Sequence, residues 1–262
     1  MERKPGHVSL ERALSKLGLA SRTQARALIE AGQVKVNGQV RTHPGFKVWP
    51  ERAKIEIGGE AARAASPVAL LLHKPRGVVT TRADEKGRPT VFSLVEKEGH
   101  GHLVAVGRLD WATSGLLILT NDTRLAAWLA DPVNGVPRTY LVSVRGLVNE
   151  ESLARLRAGI SDRGEKLSAE EVVLRKASGK ESHLVVELRE GKNREVRRMF
   201  ASVGHEVTRL KRVAYGGLEL GELAPGACRE LSAKELRAAF PGAPVFTGSS
   251  PGALQNRAAR RP

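Results

Sequence analysis

The segment GRLDWATSGLLILT, residues 107–120, sets a carboxylate beside a guanidinium in a polar turn. The carboxylate belongs to Asp110 and the guanidinium to Arg108, while the apolar runs on either side are typical of buried strands. A turn between core strands holds a reactive side chain on a rigid scaffold. The segment therefore predicts that Asp110 is an acid presented for chemistry.

The segment EGKNREVRRMF, residues 190–200, belongs to the most basic neighbourhood of the chain. Its apolar residues recur at helical spacing, which predicts a helix from 194 to 203 with Asn193 as its N-cap. Glu195 would lie in the first turn, where a negative charge is favoured. Arginines dominate the basic positions, and their planar side chains suit phosphates and carboxylates.

The overall charge points to a polyanionic partner. Lys and Arg number 43 against 28 Asp and Glu, a formal net charge of +15, which favours a nucleic acid over a small molecule. A membrane surface is also anionic, but the sequence has no basic amphipathic helix with bulky aromatic residues and no apolar run of bilayer length. The chain begins without the apolar stretch of a signal peptide, so we expect a soluble, cytoplasmic protein.

The sequence lacks the residue patterns that are typical of metal or cofactor sites. Cys228 is the single cysteine, which excludes an intrachain disulfide and a cysteine-based zinc cluster. His100 and His102 flank a glycine, and a surface loop explains them better than zinc does. Neither a P-loop nor a dinucleotide fingerprint is present, which argues against a nucleotide-driven factor. Lys74 and Arg76 in HKPRG could contact phosphate, although a simple Pro-Gly turn is an equal explanation.

Two short helices and a hairpin are predicted near the N-terminus. Ser9 can cap the first helix, and Ser21 with Gln24 forms a capping box at the start of the second. The following segment VKVNGQV contains the turn Asn37-Gly38 between alternating residues, which is typical of a hairpin. These elements predict a compact unit of about fifty residues.

This unit, residues 8–57, resembles an S4-type RNA-binding domain, above all in the segment LASRTQARALIEAGQVKVNG. The resemblance implies that a basic face contacts RNA, and we expect Arg22, Arg26 and Lys35 to supply it. Arg22 and Arg26 are one helical turn apart and share a face. The alternative is a generic helical hairpin whose arginines are only solvated.

The rest of the chain divides into three parts. Residues 58–66 are small and polar and lack an apolar period, which predicts a linker. Residues 67–240 interleave strands and helices without a regular βαβ repeat, which predicts an α+β domain on a mainly antiparallel sheet. Residues 241–262 have little to bury, and we expect a disordered basic tail.

The segments GRLDWATSGLLILTND, RTYLV, EGKNREVRRMF and TRLKR follow one another in the order found in pseudouridine synthases. They resemble the branch of that family that carries an N-terminal S4-type domain and acts on ribosomal RNA. The resemblance covers roughly residues 8–240. The GRLD turn alone is a weak signal, because short polar turns are common, whereas the four segments together are highly specific.

The resemblance implies isomerisation of a uridine in folded ribosomal RNA to its C-glycoside, without a cofactor or a metal. Asp110 matches the catalytic aspartate, which acts either as a nucleophile toward the sugar or ring or as a base at C2′ of the sugar. Uracil within a hairpin is out of reach, so the nucleotide must be flipped into the pocket. Arg108 would help to fill the vacated stack or hold the extruded phosphate, and Tyr140 would stack on the flipped base.

Further site residues follow from the same segments. The resemblance aligns Arg197 with the arginine that pairs with the aspartate, and a buried carboxylate needs such a partner to stay ionised. It places Leu210 on the floor of the uracil pocket. We expect Lys192, Arg194 and Arg198 to contact RNA through their positive charge.

Glu195 departs from the family pattern, which often has Gln at this position. An acid so close to Arg197 could compete with Asp110 for that arginine. Alternatively, Glu195 serves only the N-terminus of its helix.

A ribosome-associated RNA-binding protein without chemistry would share the charge excess and the S4-like unit. Asp110 favours the enzyme, because a carboxylate facing RNA phosphates would repel them. Large-subunit 23S ribosomal RNA is favoured over small-subunit 16S ribosomal RNA by similarity of the segments alone. We expect a monomer.

Overall fold

The computed structural model describes residues 7–50, 52–62, 65–96, 99–100 and 102–246. Within them, a small N-terminal unit precedes a larger one built on a nine-stranded sheet. None of the helices in these ranges is long and apolar enough to cross a membrane.

The N-terminal unit packs two helices on short strands, as predicted. Ser21 Oγ accepts a hydrogen bond from the Gln24 backbone N–H at 3.1 Å, and Gln24 Oε1 accepts from the Ser21 N–H at 3.0 Å, which confirms the capping box. Asn37 and Gly38 have φ values of 51° and 80°, as a type I′ hairpin turn requires. The elements are α1 (Leu10–Lys16), α2 (Arg22–Glu30), β1 (Val8–Ser9), β2 (Val34–Val36), β3 (Gln39–Val40), β4 (Lys47–Val48), β5 (Ile55–Ile57) and β6 (Glu60–Ala61).

The predicted linker at 58–66 begins too early. Strand β6 pairs with β5, so this part of the segment belongs to the small sheet. Gly58 and Gly59 make the connecting turn with positive φ values of 61° and 90°. A strand of two small or charged residues carries no alternating pattern, which is why the sequence did not reveal it. Farther on, the Ala65 N–H donates to the Leu17 carbonyl at 3.2 Å, next to the end of α1.

The large sheet is mainly antiparallel, as predicted, and has the order β13-β14-β10-β15-β9-β7-β17. Of its described strand pairs, the one between β9 and β15 is parallel. Two short strands lie outside this order: β8 pairs with β9, and β16 pairs with β15. Strands β11 and β12 form a separate hairpin. The strands are β7 (Ala69–Lys74), β8 (Val104–Ala105), β9 (Ser114–Thr120), β10 (Arg138–Arg145), β11 (Ile160–Asp162), β12 (Glu165–Leu167), β13 (Glu171–Ala177), β14 (Glu181–Leu188), β15 (Val207–Tyr215), β16 (Leu218–Glu219) and β17 (Cys228–Glu230).

Apolar clusters cover both faces of this sheet, which explains the continuous apolar run of β9. Leu117 and Leu119 join a cluster that includes residues of α4 and α5, whereas Leu116 and Ile118 join a cluster with α3 and α6. The α-helices described in this unit are α3 (Thr123–Ala130), α4 (Glu150–Ala158), α5 (Glu195–Ser202) and α6 (Ala233–Ala239).

The predicted disordered tail also begins too early. Phe246 is buried, and Ala243 and Val245 pack against the cluster that contains α3 and α6. The Arg237 guanidinium also donates to the Phe246 carbonyl at 3.4 Å. Residues 241–246 therefore belong to the folded unit because their few apolar side chains reach its core, while residues 247–262 lie outside the described part of the chain.

Candidate active site

The GRLD turn opens onto a cavity of about 340 Å³ between the sheet and the start of α5. Its walls combine the turn, strands β10 and β15, and the segment that leads into α5. The cavity brings together six of the residues predicted from the sequence: Arg108, Asp110, Tyr140, Lys192, Arg194 and Leu210.

Hydrogen bonds within the turn that carries Asp110, and from residues 77 and 80, fix its backbone. The Thr113 N–H donates to the Asp110 carbonyl at 3.0 Å. Thr80 Oγ1 donates to the Leu109 carbonyl at 2.9 Å and accepts from the Leu109 N–H at 3.3 Å. The Gly77 N–H donates to the Trp111 carbonyl at 2.9 Å. These bonds fix the backbone on both sides of the carboxylate.

Lys74 supports the same turn from inside the protein. Its side chain is fully buried at the end of β7, and Nζ donates to the Thr113 carbonyl at 2.7 Å and the Pro75 carbonyl at 3.0 Å. Burial lowers the pKa of Lys74 to about 8, although the nearby charge of Asp110 opposes that shift. The HKPRG segment is compatible with a phosphate contact of Lys74 or with a simple turn, and the structure places this side chain beneath the Asp110 loop.

The position of Gly115, directly after Thr113 and Ser114, requires a glycine. It lies opposite Arg212 where β9 and β15 pair in parallel, and its φ is +114°. A Cβ atom at this position would lie 2.1 Å from the Arg212 carbonyl oxygen. Only glycine allows the strand after Asp110 to approach β15 so closely.

Asp110 forms an ion pair with Arg194. Arg194 Nη1 lies 3.5 Å from Asp110 Oδ2, and the Asp110 side chain is 30% exposed. Arg194 is the N-cap of α5 and has left-handed backbone angles, φ 49° and ψ 32°. The predicted N-cap, Asn193, is therefore wrong by one residue.

Arg197, the expected partner of Asp110, takes a different position. Its guanidinium donates from Nη1 to the Val207 carbonyl at 2.9 Å and from Nη2 to the Ala112 carbonyl at 3.3 Å. The direct ion pair predicted between Arg197 and Asp110 is absent from the described structure, because the Arg197 guanidinium instead binds one carbonyl at the start of β15 and one in the Asp110 loop. It remains electrostatically coupled to the site: burial and Arg194 lower the pKa of Arg197, and Asp110 raises it.

Tyr140 and Leu210 lie on adjacent strands and face the same cavity. Leu210 pairs with Val142 in the β10–β15 ladder, and Tyr140 pairs with Arg212. Both Tyr140 and Leu210 are buried in the cluster that includes α5. The Tyr140 hydroxyl has no hydrogen-bond partner among the described residues. The two side chains therefore offer an aromatic and an aliphatic surface to a flat ring.

Glu195 and Arg212 line the cavity as well, and neither was among the predicted site residues. Glu195 is buried; its Oε2 accepts from the Lys192 N–H at 3.1 Å, and its Oε1 has no partner. Burial raises the pKa of Glu195. No ion pair joins Glu195 to Arg197 in the described structure, so the expected competition for that arginine does not occur.

Arg212 is the second of these buried groups. Its Nε donates to the Leu116 carbonyl at 2.7 Å, its guanidinium carbon lies 5.0 Å from the centre of the Tyr215 ring, and its Nη2 has no partner. Alternation along β15 could have revealed Arg212, because it shares a face with Leu210, two residues away.

Two cations of the EGKNREVRRMF segment form ion pairs within the protein. Arg198 pairs with Asp162 at 2.5 Å and with Glu165 at 2.6 Å, which ties α5 to the β11–β12 hairpin. Its guanidinium is not among the groups that line the cavity, and acidic partners within the protein offset its charge. The contact of Arg198 with RNA stays a prediction. Lys192 lines the cavity but pairs with Glu190 at 2.8 Å.

The predicted RNA contacts of the N-terminal unit lie outside the cavity. Arg22 and Arg26 are exposed on α2, and Lys35 is half-buried on β2. Arg26 forms an ion pair with Glu11 at 3.1 Å, which leaves Arg22 as the less neutralised of the two arginines. Among the described residues, no group of three or more acidic, histidine or cysteine side chains could hold a metal ion.

Comparison with known families matches both parts of the chain. Residues 68–202 match the model of the RNA pseudouridylate synthase family, and residues 9–51 match the S4 domain. Each matched segment lies within one of the two units of the fold, and the synthase match ends at the last residue of α5.

Individual proteins resemble the chain over most of its length. The ribosomal large subunit pseudouridine synthase B of Bacillus subtilis is 40% identical over 230 residues, which cover 87% of this chain and 93% of the relative. The protein of that name from Vibrio cholerae is 39% identical over 87% of this chain and 72% of the relative. A crystal structure of a pseudouridylate synthase superposes with a TM-score of 0.62 at 29% identity and covers 88% of this chain and 98% of that one. The chain therefore belongs to the RNA pseudouridylate synthase family, as a member with an S4 domain before its catalytic domain.

Proposed function

We propose that this enzyme isomerises a uridine of ribosomal RNA to pseudouridine, with Asp110 as the catalytic residue. The observation that carries the proposal is the position of Asp110, a partly exposed carboxylate that lines a cavity with Arg194, Tyr140 and Leu210. The reaction breaks the bond from N1 of uracil to C1′ of the sugar and forms a bond from C5 to C1′. N1 gains a proton and C5 loses one, so no oxidant, reductant or cofactor is consumed.

Asp110 can serve this reaction in either of two ways. As a nucleophile, the carboxylate attacks the sugar or the ring and holds one fragment while uracil rotates. As a base, it removes a proton at C2′ and opens a path to cleavage of the glycosidic bond. Both routes need a carboxylate close to the sugar, and the ion pair with Arg194 at 3.5 Å helps to orient the Asp110 side chain.

The target nucleotide enters the cavity by flipping out of its stack. A duplex hides C5 and the glycosidic bond, so chemistry at these atoms requires extrusion of the base. Tyr140 and Leu210 would hold the extruded ring between them, and the exposed Arg108 at the cavity rim would bind the displaced backbone or fill the vacated stack. Arg194, with a side chain 53% exposed, would contribute charge to RNA as well as to Asp110.

The S4 domain would supply affinity for the surrounding RNA. Exposed Arg22 on α2 is the leading phosphate contact, and Arg26 and Lys35 are further contacts on the same unit. These charges position the substrate without reading its sequence.

The relatives favour the large ribosomal subunit as the source of the substrate. Both the Bacillus and the Vibrio relatives carry the name ribosomal large subunit pseudouridine synthase B, and they cover most of the chain. We therefore propose 23S ribosomal RNA as the substrate and, because that RNA is made there, the cytoplasm as the location. One chain supplies all the side chains of the proposed reaction, and we propose that it acts as a monomer.

Modification of purified ribosomal RNA tests the function. The enzyme would be incubated with unmodified transcripts of large-subunit and small-subunit RNA, and pseudouridines would be mapped at single-nucleotide resolution. We expect one new pseudouridine in the large-subunit transcript, at a position that cells lacking the enzyme leave unmodified. Pseudouridine in the small-subunit transcript alone would reverse the choice of substrate. Binding of both transcripts without any pseudouridine would support the non-catalytic alternative.

A further inference from the structure

Two charged side chains in the cavity lining each carry a fully buried polar atom without a hydrogen-bond partner among the described residues, one an acceptor and the other a donor. Glu195 is 3% exposed and its Oε1 has no hydrogen-bond partner, and Arg212 is 3% exposed and its Nη2 has none. Buried polar atoms are nearly always hydrogen-bonded, because an unpaired one loses its solvation without compensation. Two such atoms in the lining of one cavity indicate a ligand that completes both bonds.

Each of these side chains is held by its other polar atoms. Glu195 Oε2 accepts from the Lys192 N–H at 3.1 Å, and Arg212 Nε donates to the Leu116 carbonyl at 2.7 Å. The two groups do not pair with each other, although both are buried and of opposite charge. Glu195 Oε1 and Arg212 Nη2 therefore remain without a partner on side chains whose orientation is already fixed.

The pair lies beside the surfaces proposed to hold the flipped ring. Arg212 is directly opposite Tyr140 in the β10–β15 ladder and two residues from Leu210. Glu195 begins α5, immediately after Arg194, which contacts Asp110. A ring that contacts Tyr140 and Leu210 while its sugar faces Asp110 would direct its polar edge toward this part of the cavity.

Uracil offers the complementary set of atoms. Its N3–H is a donor with a carbonyl acceptor on each side, whereas cytosine has an acceptor at N3 and an amino donor at C4. With the ring held in one position by Tyr140 and Leu210, an acceptor opposite N3 and a donor opposite a neighbouring carbonyl fit uracil. Cytosine in the same position would turn its N3 acceptor toward the Glu195 oxygen, which leaves both acceptors without a donor. A site built to hydrogen-bond one ligand rejects an analogue that lacks the matching group.

We propose that Glu195 and Arg212 determine the specificity of the cavity for uracil: Glu195 Oε1 accepts from N3–H, and Arg212 Nη2 donates to an adjacent ring carbonyl. The inference rests on the proposed function, because it assumes that a flipped uridine occupies the cavity. It adds a chemical reason for the choice of base, which Asp110, Tyr140 and Leu210 do not supply. A glutamine in place of Glu195 would keep an acceptor oxygen.

The first arm of the test changes the RNA and leaves Glu195 and Arg212 intact. A short RNA containing the mapped target would be made with uridine or with N3-methyluridine at that position. Binding would be measured with the Asp110→Asn variant, which keeps chemistry from consuming the ligand. We expect N3-methyluridine to weaken binding by a factor of about 10 to 100, the range for leaving a buried charged group unpaired. Equal binding of both RNAs would overturn the inference.

The second arm separates a lost hydrogen bond from a steric clash of the methyl group. Glu195→Leu in the same background should weaken binding of the uridine RNA and reduce the preference over N3-methyluridine to within about threefold, because the acceptor is gone. Glu195→Gln should restore most of the preference. If Glu195 serves only the helix N-terminus, Glu195→Leu would lower the melting temperature and leave the preference unchanged, which would also overturn the inference.

Arg212→Lys provides an independent variant should Glu195→Leu fail to fold. Lysine keeps the positive charge but lacks the second guanidinium nitrogen, so we expect weaker binding of the uridine RNA and unchanged binding of an RNA with an abasic target. Equal losses for both RNAs would contradict a contact to the base. Pseudouridine formation by the unaltered enzyme is measured separately. If it occurs while the preference is absent, the inference fails alone; if it does not occur, the proposed function and the inference fail together.

Discussion

Arg194 reaches Asp110 from a left-handed backbone position, with Nη1 at 3.5 Å from Oδ2. A left-handed conformation is uncommon for a residue other than glycine, and such residues concentrate at functional sites. The conformation starts α5 and at the same time turns an arginine toward the carboxylate. Arg197, one turn farther along α5, binds the carbonyl of Ala112 and so supports the Asp110 loop through its backbone.

Removal of the Arg194 side chain should slow the reaction without unfolding the enzyme. Arg194 is 53% exposed, so solvent screens its attraction to Asp110, and we expect Arg194→Ala to lower single-turnover rates by a factor of about 3 to 10. Arg145→Ala is the matched control, because Arg145 pairs with Glu206 on the surface and is 74% exposed. An unchanged rate in Arg194→Ala would remove Arg194 from the site.

Lys74 should give the stability of the enzyme a distinctive dependence on pH. Its pKa is lowered from 10.5 to about 8 in the folded protein, so between these values the unfolded chain binds more protons. The free energy of unfolding should therefore rise from pH 8 to pH 10.5, by up to about 3 kcal/mol relative to Lys74→Met.

Urea unfolding of the enzyme and of Lys74→Met at several pH values measures this difference, because other titrating groups are common to both proteins. Lys74→Met should also disturb catalysis, since it removes the donor to the Thr113 carbonyl beneath the Asp110 loop. A constant difference across the pH range would show that Lys74 does not titrate there.

Gly115→Ala should prevent the close approach of β9 and β15. The new Cβ would lie 2.1 Å from the Arg212 carbonyl oxygen, and the φ of +114° is itself strained for alanine. We expect a loss of more than about 3 kcal/mol in the free energy of unfolding, or failure to fold. Gly179→Ala is the control, because no atom lies within 4 Å of its added Cβ. Similar stabilities for the two variants would contradict the proposed packing constraint.

The S4 domain should contribute salt-dependent affinity through Arg22 more than through Arg26. Arg22→Ala should weaken binding of ribosomal RNA and lower the slope of log affinity against log salt by about 1, as expected for one lost phosphate contact. Arg26→Ala should have a smaller effect, because Arg26 is paired with Glu11. Titrations at several salt concentrations would measure both slopes. An unaltered slope in Arg22→Ala would exclude this phosphate contact.

Local patterns in the sequence predicted the elements that carry the site. The helical spacing of apolar residues in EGKNREVRRMF predicted α5, and the Ser21–Gln24 capping box predicted the start of α2. The GRLD turn identified Asp110 because apolar strands flank it. Each of these signals depends on neighbours in the sequence, which is why they could be read without the fold.

Features that depend on tertiary contacts could not be predicted in this way. Spacing alone cannot tell that Arg194, and not Arg197, reaches Asp110, because that depends on an unusual backbone conformation. Lys74 is buried beneath the Asp110 loop only because β7 pairs with β9. Phe246 reaches the core from a segment whose composition predicts disorder.

The role of Asp110 is tested most directly by tritium release from RNA labelled at C5 of uridine, since every isomerisation frees the hydrogen at C5. Asp110→Asn keeps the size of the side chain and removes the charge. We expect this variant to bind ribosomal RNA with nearly unaltered affinity and to release no tritium above background, while the unaltered enzyme releases it in step with pseudouridine formation. Release of tritium by Asp110→Asn at a rate near that of the unaltered enzyme would contradict the role given to Asp110.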